Sequence, residues 1–178
     1  MKRVLMALFI LAAMASNAVA RPSTMARVDV PIVVRPPQRS GPAALAMVLR
    51  CYGADTTLVK RTDEAFDPKL GGTAIAALAA TSIRLGYPSR IAEPGIDSIR
   101  TFLRLGVPPI VAFTQQFEPP GSPHYFVITR WDSLDNRFIV QDGGVRARQI
   151  TSTALRSVWE SGGGQALIVT PRVPRRTP

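Results

Sequence analysis

The chain has 178 residues, with 22 Lys and Arg against 12 Asp and Glu, a formal net charge of +10, 46% hydrophobic residues and 19% charged ones. That balance argues against a disordered chain and fits one globular domain with a single sizeable core. So positive a charge suits acidic partners or an anionic surface. The basic residues are scattered, however, without an aromatic-rich basic strand or zinc-ligand spacing, so neither a nucleic-acid partner nor a metal or cofactor is expected.

In chain order, Lys2 and Arg3 precede an apolar run, Val4–Ala15, and Ala18-Val19-Ala20 supplies the small-x-small pattern read by a signal peptidase. Residues 1–20 are therefore expected to be removed before Arg21 and the domain exported, to the periplasm in a Gram-negative host and otherwise outside the cell. The apolar run is shorter than the ~20 residues that span a bilayer, so no stable membrane span is expected after cleavage. About 158 residues then remain, carrying roughly +8.

Val28, Val30, Ile32 and Val34 alternate as one face of an extended lead-in strand, which Pro36-Pro37 ends. The stretch Gln38–Gly53 then runs from a polar turn into an amphipathic helix, with Pro42 in its first turn, a core stripe of Leu45, Val48, Leu49 and Tyr52, and Gly53 just past its end. Ser40 sits at the helix N-terminus. Two roles suit it there: an ordinary N-cap, or a side-chain oxygen placed where outward-pointing N–H groups and the helix dipole favour developing negative charge. Cys51, the one cysteine, cannot form an intramolecular disulfide and reads as a buried thiol. It could instead be a nucleophile. Eleven residues at ~1.5 Å each put it roughly 16 Å from Ser40, so the two cannot serve one active site.

A polar stretch, Asp55–Lys69, follows. Gly71-Gly72-Thr73 then opens a second helix carrying Ile75, Leu78, Ala79 and Leu85 and closed by Gly86, and a third helix carries Ile96, Ile99 and Leu103 up to Gly106. Strands are expected at Pro109–Thr114, His124–Trp131, Arg137–Asp142 and Ala166–Thr170, the middle two joined as a hairpin by Asp132–Asn136. The loop Gln115–Pro123 precedes the only histidine. Residues 171–178, with Arg172, Arg175 and Arg176 among prolines, read as a basic disordered tail after a domain at 21–170. Helices ahead of an antiparallel sheet make an α+β domain around a central buried helix.

The hairpin permits a geometric inference. Paired residues on antiparallel strands have numbers with a constant sum, about 268 for a loop centred near Leu134, and His124 with Asp142 comes within two of it. The two side chains are therefore expected to be neighbours on one face. Such a pair either serves structure alone or forms the base and orienter of a nucleophile–base–orienter triad.

Three pieces then stand in order: Gly41-Pro42-Ala43-Ala44-Leu45 at a helix start, Pro123-His124-Tyr125-Phe126-Val127-Ile128 on a strand, and Gln141-Asp142-Gly143 after the next strand. Together they resemble the papain-like peptidases of the double-glycine leader, or bacteriocin-processing, family. Gly72-Thr73, Leu85-Gly86-Tyr87 and Gly106–Val111 look similar as well, and the likeness spans about residues 28–170. It implies a papain-like fold and a catalytic set of Ser40, His124 and Asp142.

Two departures bear on activity. Ser40 stands where the family has its nucleophilic Cys, and a hydroxyl, unlike a thiol beside a histidine, does not ionise near neutral pH. The family's oxyanion-stabilising Gln, expected a few residues earlier, is replaced by Val34 and Arg35, while Gln38 is too near Ser40 to turn back toward a substrate oxygen. Loss of such a donor typically costs ~2.7–4 kcal/mol of transition-state stabilisation. Arg35 is a candidate cationic substitute, and Gln38 and Gly41, the latter through its backbone, are candidates with it for lining the oxyanion and substrate groove.

Two readings follow, and whether the chain is an enzyme lies between them. In the first, an exported domain binds an extended peptide or exported protein in its groove with lost or much reduced proteolysis. In the second, Ser40, His124 and Asp142 form an active peptidase, whose chemistry would equally serve acyl transfer.

Overall fold

A computed structural model of the chain describes residues 25–113, 123–161 and 163–172. Its elements, in order, are β1 (Ala26–Arg27), α1 (Ser40–Cys51), α2 (Thr56–Arg61), α3 (Ile75–Arg84), β2 (Ser89–Ala92), α4 (Ile96–Arg104), β3 (Ile110–Phe113), β4 (His124–Asp132), β5 (Arg137–Gln141), β6 (Arg148–Thr151), α5 (Ser152–Ser161) and β7 (Ala166–Val169). The strands form one sheet, antiparallel throughout, in the order β2-β7-β3-β4-β5-β6, with β1 joined separately to β4. This is the α+β, papain-like arrangement that the sequence implied.

The nine-residue strand β4 organises the sheet. Its first half pairs with β3, from Ile110↔Val127 to Phe113↔His124, and its second half with β1, at Ala26↔Trp131 and Arg27↔Arg130. Along its other edge lies β5. Its first six residues are buried because both faces are covered, and strands covered on both sides read as unbroken apolar runs. Tyr125 turns toward α1, where its hydroxyl donates to the carbonyl of Thr73 at 2.7 Å, and Phe126 turns the other way, toward Val158 of α5.

Helix α1 is the centre of the core. Every residue from Ala43 to Leu49 has no exposed surface, so the helix is buried all round rather than along the one stripe expected. Leu45, Met47, Val48 and Leu49 each contribute about 1.5–3 kcal/mol by burial. The alanines let neighbouring elements approach closely.

Several sequence expectations need correction. The lead-in strand expected at Val28–Val34 is not formed, the paired residues being Ala26–Arg27 of β1 just before it: Val28, Val30 and Val33 are buried while Ile32 and Val34 are exposed, so the alternation slips after Pro31, which lacks a backbone N–H and fixes its φ. The polar stretch Asp55–Lys69 contains α2, capped by Asp55, whose side chain accepts from the Leu58 amide at 2.9 Å, and a 3-10 turn at Thr62–Ala65. Helices do not all precede the sheet either, since β2 lies before α4 and the unforeseen β6 and α5 intervene before β7. Helix α5 is anchored by buried Leu155 and Trp159, and the Trp159 indole donates to the Gln165 carbonyl at 2.9 Å.

Arg172, near the start of the expected tail, donates through its guanidinium to the Leu85 carbonyl and lies 4.5 Å from the Tyr87 ring centroid. The expected signal peptide, the loop 114–122 and the tail beyond Arg172 lie outside the described residues. No helix among the described residues is long and apolar enough to cross a membrane.

Candidate active site

Pro36 and Pro37 bring the backbone into a 3-10 turn at Pro37–Arg39, and α1 starts directly at Ser40. Ser40 is not the N-cap. Arg39 holds that position without a side-chain cap bond, and the Ser40 Oγ instead accepts the backbone N–H of Tyr125 at 3.2 Å. The residue is only 2% exposed. The helix start is therefore tied across 85 positions of sequence to β4, at the residue that follows His124.

Gly41 makes that approach possible. A Cβ there would stand 3.1 Å from both the Thr73 Cβ and the Tyr125 Cδ2, tighter than ordinary packing allows. Gly41 thus faces packed side chains, and its role in the described structure is close contact.

On the other side of β4, the register near the site is Val127↔Gln141 and Ile128↔Val140, the constant sum expected, and it changes by one only past a bulge at Thr129. Asp142 therefore lies diagonally from His124, and its Oδ2 stands 3.7 Å from the His124 Nε2. That is an ion-pair distance for a protonated imidazole, longer than a direct hydrogen bond. Both groups are buried, at 8% exposure each.

Asp142 has two further partners. Its Oδ1 accepts the Gly144 N–H at 3.0 Å, and its Oδ2 lies 3.0 Å from Nη2 of Arg148 on β6. His124 first, then the Gly144 amide and Arg148, hold the carboxyl down at about 2 against the opposing effect of burial. The next residue, Gly143, has φ +86, and a Cβ on it would come within 2.8 Å of the Ala43 Cβ. Its carbonyl accepts the Arg35 N–H at 3.1 Å. So the turn that carries Asp142 is pressed against the start of α1 and the backbone of Arg35, and only glycine fits there.

These residues surround a cavity of about 270 Å³ lined by Arg35, Pro37, His124, Asp142, Gly144 and Arg148. Arg35 is steadied by Asp63, 3.7 Å from its Nε, and Asp63 also holds Arg39 at 3.3 Å. Arg39 in turn lies 4.3 Å from the Phe66 ring centroid. Gln38 is exposed on the 3-10 turn and is not among the residues that line this cavity. Cys51 ends α1, away from this site, and burial pushes its thiol up, so it is suited to neither nucleophile nor metal ligand. Among the described residues no cluster of His, Cys, Asp and Glu is placed to hold a metal ion.

Comparison with known proteins places the fold. The family described as Peptidase_C39 like family matches residues 28–167. The chain belongs to this family. Similar solved structures include the peptidase domain of Streptococcus ComA, a bifunctional ABC transporter of a quorum-sensing pathway (21% identity, TM-score 0.65, covering 81% of this chain and all of that one). Another is a double-glycine-motif protease from an AMS/PCAT transporter in complex with the leader peptide (17% identity, TM-score 0.62, 82% and 94% covered). A third is the N-terminal peptidase C39 like domain of a toxin secretion ATP-binding protein from Vibrio parahaemolyticus (15% identity, TM-score 0.54, 79% and 100% covered). At these identities the likeness is one of fold. No curated protein sequence matches the chain.

In this C39-like chain the structure brings Arg35, His124 and Asp142 to one cavity, while Ser40, hydrogen-bonded to the Tyr125 amide, is not among the residues lining it. Arg148 was not foreseen. It lies on β6, whose residues Arg148–Thr151 are mostly exposed and carry no alternating apolar signal. Tyr125 was quoted in the base-strand motif, but its contact with Ser40 runs through its backbone, to which its side chain gives no clue.

Proposed function

We infer that this C39-like chain is an exported peptide-binding domain that holds an extended segment beside His124 and Asp142 with lost or much reduced cleavage. The observation that supports it most is the state of Ser40. A nucleophile must present a lone pair to the substrate carbonyl, and Ser40 is a buried residue, 2% exposed, whose Oγ already gives one of its two lone pairs to a strand amide. Its hydroxyl also lacks the acidity of the family's thiol. What remains is a cavity with cationic and hydrogen-bonding walls beside a sheet, suited to a peptide backbone. The solved relative held with a leader peptide supports that class of ligand. Export rests on Lys2, Arg3 and the apolar run before Ala18-Val19-Ala20.

One observation favours a second reading, an active peptidase: His124 and Asp142 are still paired at 3.7 Å. In that mechanism Ser40 Oγ would attack the scissile carbonyl as its proton passes to His124, and Asp142 would stabilise the imidazolium. The proton would then go to the leaving amine.

The two readings separate when the natural protein, S40A and S40C are incubated with Gly-rich and leader-like peptides and read by mass spectrometry. Cutting by S40C alone is the expected result. Cutting by the natural protein and not by S40A would establish the peptidase and end the binding-only account.

A further inference from the structure

A second cavity, of about 200 Å³, adjoins the first and is walled by Phe113, Phe126, Val140, Ile150 and Val158, with Arg148 at its edge. Its walls come from β3, β4, β5, β6 and α5, so it is built by the sheet rather than by one loop. An apolar cavity of about 150 Å³ takes a benzene ring, so this one has room for a single large apolar side chain. Arg148 lines both cavities, and Phe126 meets the His124 ring edge-on with centroids 5.0 Å apart. The two spaces are therefore neighbours, one apolar and one charged.

The charged cavity has cations to spare. Among the described residues, Arg35, Arg148 and the nearby Arg39 pair with two carboxylates, Asp63 and Asp142. Asp142 is already committed to Arg148, His124 and the Gly144 N–H. Arg148 has five donors, and Asp142 takes only part of that fork. An incoming carboxylate finds donors there, whereas a second cation would not.

Resting on the peptide-binding reading above, we propose that the ligand is the C-terminus of a peptide: its α-carboxylate lies against Arg148 and Arg35, and the side chain of its last residue, large and apolar, fills the cavity between Phe113, Phe126 and Val158. A terminal residue carries both groups on one Cα. In an extended segment, neighbouring side chains point to opposite faces, so an internal acid next to an apolar residue cannot serve both spaces at once. A bound C-terminus also leaves no peptide bond beyond the site to cut, in keeping with a Ser40 turned inward.

The test measures binding of an N-acetylated Gly/Ala hexapeptide ending in Phe, as the free acid and as the amide, beside an acid ending in Ala and an amide with an internal Glu before Phe. The natural protein is expected to bind the Phe acid at least about tenfold more tightly than its amide, because the lost contact is a charge-assisted hydrogen bond. It should also prefer it about tenfold over the Ala acid. R148Q should abolish the acid–amide difference and R148K restore part of it, both with the melting temperature lowered by no more than about 4 °C, since the Arg148 side chain is 64% exposed. Equal binding of acid and amide, or of the internal-Glu amide and the Phe acid, overturns the C-terminal proposal while leaving peptide binding standing. Binding of none of the four peptides overturns the peptide-binding reading itself.

Discussion

The two sides of β4 at His124 and Tyr125 have been put to different uses. On one side Ser40, Gly41, Thr73 and Tyr125 are packed to contact distance, and the serine oxygen is a hydrogen-bond acceptor inside the fold. On the other, His124, Asp142 and Arg148 border an open cavity and share one carboxylate. Ser40 is engaged in the packing of the fold, while His124 and Asp142 still border a cavity. The serine's contact and the His124–Asp142 pair are separate interactions, joined by Gly143, which presses the turn carrying Asp142 against α1.

The contrast should break most completely at Gly143, which joins the halves. Gly143→Ala puts a Cβ at positive φ and into the Ala43 Cβ, with an expected destabilisation of about 3 kcal/mol. Denaturant unfolding measures it; a loss within error would mean that the turn carrying Asp142 is not held against α1. Next in size is Ser40→Ala, which leaves the Tyr125 N–H without its partner and should cost about 1–3 kcal/mol. Amide exchange at Tyr125 should speed up accordingly. If stability and exchange are unchanged, the serine is not part of the packing and the contrast drawn here fails.

A smaller, pH-dependent effect belongs to the open side. The Asp142 carboxyl is held at about 2 against an ordinary 3.8, so its stabilising contribution is complete above about pH 4 and is lost as the pH falls through 2. Thermal melting of the natural protein should therefore fall faster between pH 4 and pH 2 than that of Asp142→Asn, and the two should converge at the acid end. Parallel profiles would show that the Asp142 environment does not stabilise the folded state. The smallest effect is expected from Arg148→Gln: the arginine is 64% exposed and the buried Asp142 keeps its His124 and Gly144 contacts, so stability should change by about 1 kcal/mol.

Much of this fold could be read from residue pattern. Leu78 and Leu85 in one helix, and Ile96, Ile99 and Leu103 in another, keep the 3.6 period because each helix covers the core with one face. The hairpin around Leu134 was readable since Asp132 and Asn136 bracket it, Asn136 taking φ +50 at its end. That hairpin also carried the prediction that His124 and Asp142 are neighbours. Strand β2 and strand β6 escaped notice because their mostly exposed residues show no alternation, and Arg148 escaped with them. Of the two roles the sequence left open for Ser40, the cap was the one local preference favours, and the structure gives the cap position to Arg39 because the tertiary contact with Tyr125 engages the serine.

The central claim, that the groove holds a peptide and Ser40 does not attack it, is tested most directly by native mass spectrometry of the natural protein incubated with the Phe-terminated hexapeptide and with longer leader-like peptides. The expected spectrum contains a non-covalent complex with both masses intact after prolonged incubation. Peptide fragments, or a protein mass increased by an acyl group on Ser40, would contradict the account and assign the chain an active serine nucleophile.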